Sequence, residues 1–526
     1  MILLKKLTLI TGLLFSAILS MAQVKFSLSK EFETVRKHQD IGFYRWDTSV
    51  YAQVYYRPRE ELVFQTFDER FMKMKKEKAV KIKAEDGRNE GLFTMKENHY
   101  WLYSTWKRDE EKEELWAHQM DRTTFKFIDK PIKLIESGKL ASEMGWDKYR
   151  FYRSADNSYL LMTCRLRPKE KRDRLNKDVI GYYLYNGQMK TVYAHQIEMP
   201  YTEAEMDILG KDVDSKGNIF VLASVLLNNA LDGISDEKKR ARRYELMRVN
   251  QKNNTMEGIK IELDGKYLKD VVFSEDLIGN MIITGYYSNQ ATGGVEGAYV
   301  FRIELNDKNG VQKINKTYCE FPKEILQAYE SDRTKRKIEK KSKKGRNVGA
   351  SALEFRKVVF GADGSLTIIG EEHYVVAHTS STPNGGSSTS YTYYYENIYV
   401  LRAGKDGKTQ WCKKIPKYQK GKRTYDLGFY SHSYKGNNYF FFIDNKKNID
   451  LPESEKPAQH LSGKGGVLTC VKIDPNGKMT KEIVLDTREE HLKLSPQSFE
   501  YVGENIIVDR LKKSRKQSVV FKLELN

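Results

Sequence analysis

The two histidines of the segment EEHYVVAH, His373 and His378, are the first candidates for metal or acid–base chemistry. Their spacing differs from the HExxH zinc motif, and five residues along a strand would direct the two rings to opposite faces. The sequence has no glycine-rich phosphate loop between a strand and a helix, and no GxSxG nucleophile elbow. These patterns predict structural histidines, no resident metal or cofactor, and neither a nucleotide-dependent enzyme nor a typical serine hydrolase.

Carboxylates are the next chemical candidates. The segment DVDSKGN, from Asp212 to Asn218, has carboxylates at alternate positions, like the first part of a calcium-binding loop. The distal glutamate that completes such a loop is absent. A glycine-containing turn between two strands is the simpler interpretation. Paired acids for glycoside cleavage remain an alternative, because acidic residues are common at the turns, although the sequence alone selects no pair.

Four cysteines are present at positions 164, 319, 412 and 470, at wide spacings that fit no metal motif. Each lies in or beside an apolar strand pattern. Two alternatives stay open, buried free thiols or a disulfide formed in an oxidising compartment.

Basic residues are concentrated in four short segments, which predicts an anionic partner. The net charge is +19, and removal of Lys5 and Lys6 with a leader would leave +17. The segments are 165–177, 236–243, 333–346 and 510–516, and the last contains five basic residues and no acidic one. If they share one face, that face attracts anions through its long-range field and through salt-sensitive pairing. The alternative is that these lysines only keep a large β protein soluble.

The predicted binding residues are basic side chains of these segments. They are Arg165, Arg167, Lys171, Arg172, Lys239, Arg240, Arg336, Lys337, Lys340, Lys341, Lys343, Lys344, Lys512 and Lys513. Exposed tyrosines of a nearby aromatic run, Tyr393, Tyr394 and Tyr395, would stack on sugar rings; the alternative is a strand whose side chains alternate between core and surface. The expected partner is an anionic glycan, a lipid head group or an acidic protein surface, and nucleic acid is not expected outside the cytoplasm.

A repeated strand pattern must position these residues. A turn with Gly and Asn precedes an apolar run, and after a variable loop a second strand ends in a basic residue. Examples are DVDSKGNIFVLASV followed by YELMRVN, and KGNNYFFFI followed by VLTCVKID. The anchor positions of the second strand are Lys73, Gln119, Leu184, Arg248, Arg302, Arg402, Lys472 and Lys522. Each unit holds about four short strands, so the repeat predicts an all-β solenoid or propeller.

The chain ends favour a closed ring over a solenoid. The last unit stops at Asn526 without a fourth strand, and residues 24–30, VKFSLSK, supply a spare strand ahead of the first unit. Their pairing would remove the open edges. We therefore expect one β-propeller over residues 23–526 with seven or eight four-stranded blades, eight being favoured. The alternative is a propeller with fewer blades beside a small N-terminal β domain.

Two insertions interrupt the repeat. Residues 322–346 begin with helix formers after a proline, which predicts a basic helix between two blades. Residues 380–397, SSTPNGGSSTSYTYYYEN, predict a flexible loop that leads into an aromatic strand. Both insertions should emerge on the side of the ring where second and third strands are joined.

Residues 1–22 have the layout of a cleaved secretory signal. Two lysines precede an apolar run from Leu7 to Leu19, and small residues end at Ala22. A membrane anchor is the alternative, although the run is short for a span and no later segment is apolar enough for one. Cleavage would leave Gln23 first, in a protein that is periplasmic, associated with the outer membrane, or released from the cell.

The SMAQ cleavage region and units such as YVLRAGKDGKTQWCKKIPK resemble uncharacterised exported β-propeller proteins of Bacteroidota over essentially the whole mature chain. The resemblance implies a fold and a compartment, and it carries over no catalytic residues. We expect a non-enzymatic binding or scaffold protein of the cell envelope. Two alternatives are a propeller glycoside hydrolase or lyase, and a small-ligand receptor with a deep channel lined by Tyr and Trp.

Overall fold

Strands form nearly all the regular structure of the computed structural model, as the apolar alternation of the sequence predicts. The structure describes residues 23–35, 38–47, 50–57, 61–68, 70–82, 87–141, 148–168, 173–226, 242–305, 311–344, 346, 348–381, 386–503 and 505–526. The signal segment 1–22 lies outside these residues, so cleavage after Ala22 stays a prediction.

The elements are numbered in chain order. The strands are β1 (Val24–Leu28), β2 (Phe32–Glu33), β3 (Gln39–Asp47), β4 (Val50–Arg57), β5 (Glu61–Phe67), β6 (Met74–Lys81), β7 (Arg88–Met95), β8 (Asn98–Lys107), β9 (Lys112–Met120), β10 (Ile132–Ser137), β11 (Leu140–Ala141), β12 (Tyr149–Arg153), β13 (Tyr159–Leu166), β14 (Lys177–Asn186), β15 (Thr191–Thr202), β16 (Met206–Val213), β17 (Ile219–Leu226), β18 (Arg242–Asn250), β19 (Thr255–Ile261), β20 (Tyr267–Leu268), β21 (Val272–Glu275), β22 (Met281–Ser288), β23 (Gly297–Leu305), β24 (Val311–Glu320), β25 (Leu353–Phe360), β26 (Leu366–Ser381), β27 (Ser387–Ala403), β28 (Thr409–Ile415), β29 (Gln419–Gly421), β30 (Tyr430–Tyr434), β31 (Asn437–Asp444), β32 (His460–Leu461), β33 (Val467–Ile473), β34 (Met479–Asp486), β35 (Glu500–Gly503), β36 (Ile506–Lys512) and β37 (Gln517–Leu525). The helices are α1 (Lys323–Gln327) and α2 (Asp332–Lys343), with 3-10 turns at Asp173–Leu175, Lys446–Asn448 and Pro496–Ser498.

Within the described residues these strands pair into eight sheets, each built on four antiparallel strands. Sheet 1 is β3 to β6, sheet 2 is β7 to β10, sheet 3 is β11 to β15, sheet 4 is β16 to β19, sheet 5 is β20 to β24, sheet 6 is β25 to β28 with β29 and β32, sheet 7 is β30, β31, β33 and β34, and sheet 8 is β35, β36, β37 and β1 with β2. The all-β prediction and its four-stranded unit are confirmed.

Tight turns join the first and second strands of several sheets. In the DVDSKGN segment, Asp214 accepts hydrogen bonds from the backbone amides of Lys216 (3.0 Å) and Asn218 (2.8 Å). Gly217 follows at a φ of 82°, in the left-handed region that favours glycine. The turn interpretation is therefore confirmed, because Asp214 is used to close the bend between β16 and β17.

Apolar side chains fill the space between consecutive sheets. Nine clusters of buried residues are found among the described residues, and eight of them pack one sheet against the next, including sheet 8 against sheet 1. The second strand of a sheet is accordingly covered on both faces, as in β22, where every side chain is buried. An unbroken apolar run in the sequence, MIITGYYS, reflects that two-sided cover.

The N-terminal strand pairs with the C-terminal strand. Val24 lies opposite Leu525 and Leu28 opposite Phe521, so β1 takes the fourth position of sheet 8. The backbone amide of Asn526 donates to the carbonyl of Gln23 at 3.0 Å. The strand expected over residues 24–30 is thus observed, two residues shorter.

The helical insertion differs from the prediction of one helix over residues 322–346. The structure has two helices, α1 and α2, separated at Tyr329, whose φ of 60° is incompatible with a continuous helix. The backbone amide of Tyr329 donates to the carbonyl of Glu453 (2.7 Å), and Ser331 caps the new helix by accepting from the amide of Thr334. The break lets the insertion bend onto a neighbouring connection.

Of the prediction for residues 380–397, the aromatic strand is observed as part of β27, whereas the flexible loop is wrong for the part that the structure describes. Strands β26 and β27 continue outwards as one long hairpin, with Ala377 opposite Tyr391 and Ser381 opposite Ser387. Residues 382–385 lie outside the described residues. Threonines and tyrosines favour extended backbone, so the composition that resembles a linker still pairs as a strand.

Seven of the eight anchor positions fall on the third strand of their sheets. Lys73 does not, because the third strand of sheet 1 is β5 and Lys73 precedes the outermost strand β6. The basic pattern RFMKMKK therefore marks an exposed outer strand. The four cysteines are buried and unbridged.

Candidate functional site

The connections between second and third strands and the crossovers between sheets leave the sheets at the same end, because neighbouring strands are antiparallel. We call this end the loop face. It carries helices α1 and α2 on the crossover from sheet 5 to sheet 6. Lys335 Nζ of α2 donates to the carbonyl of Ser454 at 2.8 Å, which fastens the helix to the second-to-third connection of sheet 7.

Helix α2 presents a basic surface to solvent. Ile338 packs on the cluster between sheets 5 and 6, and this contact fixes which side of the helix faces the body. The exposed basic residues of the helix and its end are Arg333, Arg336, Lys337, Lys340, Lys341, Lys343, Lys344 and Arg346. Within the described part of the chain none of these side chains forms an ion pair with a carboxylate.

Other predicted basic residues differ in their use. Arg165 is largely buried and is neutralised by Asp178, whose Oδ1 is 2.7 Å from Nη2, and by Glu203 at 3.5 Å. It therefore adds little to the field of the loop face. Arg167 is exposed. The remaining predicted residues of these two segments, Lys171, Arg172, Lys239 and Arg240, lie outside the described residues.

Residues 487–499 form the crossover from sheet 7 to sheet 8, and three cavities of the loop face open beside this segment. The largest, about 640 Å³, is bounded by sheets 8 and 1 and by His491, Lys493 and Ser495. The second, about 450 Å³, lies on the sheet 7 side and shares His491 and Lys493. The third, about 390 Å³, touches Gln497. We call these the large, middle and small cavities.

Three carboxyl groups line the large cavity: that of Asp40, which is exposed and paired with Arg510, and those of the neighbouring acids Glu500 and Asp509. Glu500 lies opposite Val508 in the ladder of β35 and β36, so the two acids are on adjoining strands. Burial raises the pKa of Asp509 to about 7, while hydrogen bonds from Ser498 and from the Arg510 amide oppose the shift. Burial also raises the pKa of Glu500, which accepts the amide of Phe43 at 2.9 Å. Neither forms an ion pair within the described residues.

Lysines surround this cavity. Lys512 and Lys513, predicted from the sequence, line it together with Lys493, and all three are exposed. Arg510, in contrast, has a largely buried side chain that pairs with Asp40 at 2.5 Å. Lys464 extends the basic border to the middle cavity. Positive charge at the entrance and buried carboxyl groups within it suit a ligand that carries both carboxylates and hydroxyls.

The small cavity lies above a buried ionic cluster. Glu371 Oε1 is 2.7 Å from Lys417 Nζ, and Glu371 Oε2 is 3.0 Å from Arg356 Nε. Lys417 is fully buried, and burial lowers its pKa while the Glu371 carboxylate opposes that shift. Arg356 and Glu371 line the cavity with Tyr395.

The three predicted tyrosines occupy different environments. Tyr395 borders the small cavity, and its ring centroid is 4.4 Å from that of His373. Tyr394 stacks on Tyr374 across the hairpin at 4.6 Å. Tyr393 is partly buried and lies opposite Val375. Strand alternation thus separates them, and only Tyr395 borders one of the three cavities.

Sequence reasoning missed Glu500, Asp509 and Lys417. Asp509 carries a weak signal, since it is an acid within the apolar strand ENIIVDR. Lys417 carries no such signal, because it is one of several lysines in KKIPKYQK and nothing in that segment distinguishes a buried lysine from an exposed one. His373 Nδ1 lies 3.0 Å from Glu354 Oε1, and its structural role stays a prediction.

Among the described residues, no helix combines the length and apolar character needed to cross a bilayer. No protein-family model matches the chain. No curated protein matches it either.

Solved structures give distant likenesses. The chain is similar to the uncharacterized protein lmo1340 from Listeria monocytogenes EGD-e, with 9% identity, a TM-score of 0.37, and coverage of 81% of this chain and 89% of that one. It is similar to the β-propeller domain of the Trilobed protease from Pyrococcus furiosus, with 9% identity, a TM-score of 0.34, and coverage of 86% and 97%.

Prolyl oligopeptidase B from Galerina marginata is a further likeness, with 8% identity, a TM-score of 0.37 and coverage of 93% of this chain. The chain spans 56% of the length of that enzyme. Likenesses of this degree carry no argument about function, which has to come from the residues of the chain itself.

Proposed function

We propose that this protein is an exported, non-enzymatic scaffold of the cell envelope that binds acidic glycans on its loop face. The observation that carries the proposal is that some basic side chains of the loop face are paired with acids whereas many others are not. Arg165 and Arg510 are neutralised by acids, whereas the basic side chains of α2 and Lys464, Lys493, Lys512 and Lys513 have no carboxylate partner among the described residues.

The scaffold itself is proposed to be a closed propeller of eight blades. Pairing of β1 with β37 and the apolar cluster between sheets 8 and 1 support closure. Closure matters for binding because it would hold all second-to-third connections on one side of the ring. The resemblance to exported propellers of Bacteroidota and the predicted signal at residues 1–22 support the envelope location.

Cavity shape favours a glycan over the other anionic partners. A flat lipid surface would reach α2 but would not enter the large cavity, and α2 offers no exposed apolar side for insertion, since Ile338 faces the protein. Hydroxyl and amide groups of Ser495, Ser498 and Gln53 in the large cavity suit sugar hydroxyls. Lysines around the entrance suit uronate carboxylates.

The test measures binding of polygalacturonate, with neutral dextran as a comparison, at low and high salt. The variant K340Q/K341Q/K343Q/K344Q should bind polygalacturonate about ten-fold more weakly, corresponding to about 1.4 kcal/mol. Binding should fall at high salt, because the pairs are solvent-exposed. Anionic vesicles form a separate arm, and preference for vesicles over polygalacturonate would overturn the glycan assignment.

A matched control removes the same charge from the opposite end of the sheets. Lys190, Lys252, Lys405 and Lys408 are exposed in turns that join third and fourth strands. Their substitution by glutamine lowers the net charge equally but leaves the loop face intact. If the control loses as much affinity as the α2 variant, binding follows net charge alone and the loop face has no special role.

A second candidate function is cleavage of the bound glycan, which the carboxyl pair in the large cavity favours. A buried acid with a pKa near neutrality can donate a proton to a leaving oxygen while a neighbouring carboxylate assists. Release of reducing ends from polygalacturonate, abolished in D509N and E500Q while binding persists, would establish the enzyme. Binding without release by the unaltered protein supports the scaffold.

A further inference from the structure

Gln23 lies where the two ends of the described chain meet. It precedes β1, and its carbonyl accepts from the amide of Asn526 at 3.0 Å. Because Gln23 adjoins the last residue of the chain, it is positioned at the seam between sheets 7 and 8, at the end opposite the loop face.

Sheet 7 holds Gln23 through its outermost strand, β34. The backbone N of Gln23 donates to Glu482 Oε2 at 3.0 Å, and its Nε2 donates to Thr480 Oγ1 at 3.0 Å. Thr480 Oγ1 also lies 3.2 Å from Gln23 Oε1. Both the backbone and the side chain of a single residue are therefore fixed across the seam.

Glu482 has capacity for a further donor. Its Oε1 is buried and has no hydrogen-bond partner, while Oε2 is occupied by Gln23. Burial raises the pKa of Glu482, and the amides of Gln23 and Val24 oppose that shift. A buried carboxylate oxygen without a well-formed hydrogen bond costs free energy, so the two peptide amides of Gln23 and Val24 leave Glu482 Oε1 incompletely satisfied.

We propose that Gln23 is the first residue of the working protein and that its free α-ammonium group binds Glu482 as an ion pair. Hydrolysis of the Ala22–Gln23 peptide bond by a signal peptidase consumes one water, leaves a carboxylate on Ala22, and gives Gln23 an amine that takes up a proton. The peptide amide has one hydrogen and no charge. The ammonium has three hydrogens and a positive charge, so it satisfies both oxygens of Glu482.

This arrangement links removal of the leader to strengthening of the seam. It rests on the proposed cleavage after Ala22, but it is independent of any glycan, whose proposed site lies on the opposite end of the sheets. The uncleaved chain would fold with the weaker amide contact, and the cleaved chain would gain the ion pair.

The same contacts protect the new terminus chemically. An N-terminal glutamine cyclises when its neutral amine attacks the side-chain carbon Cδ, forming a C–N bond and releasing Nε2 as ammonia. Pairing with Glu482 keeps the amine protonated and therefore non-nucleophilic, and Thr480 holds the side-chain amide in place. We expect the folded protein to keep an open Gln23 rather than a neutral lactam.

The experiment compares two N-termini, one beginning at Gln23 and one retaining Ala22, each with Glu482 or E482Q. Denaturant unfolding should show that E482Q lowers the folding equilibrium constant about ten-fold more in the protein that begins at Gln23. Titration of the Gln23 amine by NMR should show a pKa above its ordinary value of about 7.7 to 8.0, and E482Q should remove that elevation.

Glu198, on the outermost strand of sheet 3, provides a matched control, and E198Q should affect both N-termini equally. Equal effects of E482Q on the two N-termini, or an unshifted amine pKa, would overturn the proposal. The proposal would also be overturned if the measured mass showed that the exported protein begins at another residue, or that it has lost ammonia from Gln23 by cyclisation. Polygalacturonate binding by E482Q should stay unchanged, so the outcome is separate from that of the glycan test.

Discussion

At the scale of single residues, the buried charges of the loop face determine how stability responds to pH and to substitution. Asp509 and Lys417 are both buried, but they differ in their partners. Asp509 has no ion-pair partner within the described residues, whereas Lys417 contacts Glu371. Their removal should therefore have opposite consequences.

Replacement of Asp509 by asparagine should flatten part of the pH dependence of stability. The folded pKa, about 7, exceeds the ordinary value of 3.8, so the folded state binds the proton more tightly than the unfolded state. Stability of the unaltered protein then falls as pH rises from 4 to 7, by at most about 4 kcal/mol. D509N should lack this loss. Denaturant unfolding at pH 4 and pH 8 measures this difference. An equal change in unfolding free energy in D509N and in the unaltered protein would contradict the raised pKa of Asp509.

Replacement of Lys417 by methionine should destabilise the protein by about 3 kcal/mol, because Glu371 would remain buried with only Arg356 to neutralise it. The double variant K417M/E371Q should recover much of the loss, since the uncompensated carboxylate is removed. Urea unfolding of the four proteins forms a double-mutant cycle. A double variant no more stable than K417M would show that the cost has another origin.

At the scale of elements, the hairpin of β26 and β27 extends beyond the other strands of sheet 6. Its inner part belongs to sheet 6, where Ile368 lies opposite Leu401 in the core. The outer part, beyond Ala377 and Tyr391, is exposed. The outer part thus contributes little apolar burial to stability.

Shortening the hairpin should leave folding intact. Ala377 and Tyr391 are cross-strand partners, so replacing residues 378–390 by Asn-Gly allows a tight two-residue turn between them. We expect a melting temperature within a few degrees of the full chain, measured by circular dichroism. A large fall would mean that the outer hairpin covers apolar surface elsewhere. Removal of the inner part instead should abolish folding.

At the scale of the whole molecule, the chain ends share one sheet. Strands β1 and β37 pair along their lengths, and Asn526 bonds to Gln23. In the proposed closed ring, the position at which the chain is cut should matter little, provided that the cut lies in an exposed turn.

Circular permutation tests that property. A short Gly-Ser linker from Asn526 to Gln23, with new ends between Lys252 and Asn253 in an exposed turn, should give a folded monomer. Its melting temperature should approach that of a chain retaining Ala22, which likewise has a peptide amide in place of a free ammonium at Gln23. A permutant opened within β17, between Leu222 and Ala223, should fail to fold, because both residues are buried. Failure of the first permutant would contradict closure.

The sequence alone determined the local features of this protein. The turn formed by Asp214, Gly217 and Asn218 and the apolar run of β22 each depend on residues that are close in sequence. Their structure therefore follows from backbone preference and side-chain pattern. The same holds for the exposed lysines of α2. The composition after Ser380 predicts a loop because Ser, Thr and Gly occur in both loops and strands, whereas in the structure the two arms pair with each other as β26 and β27.

Only the tertiary structure decided which charges remain unpaired. Arg510 and Asp40, or Glu482 and Gln23, are separated by most of the chain and meet only because the sheets are packed in this order. Lys417 meets Glu371 from another strand, and Asp509 accepts a hydrogen bond from Ser498 of the crossover between sheets 7 and 8. Pairing and desolvation act through space, so a linear pattern of acids and bases does not reveal them.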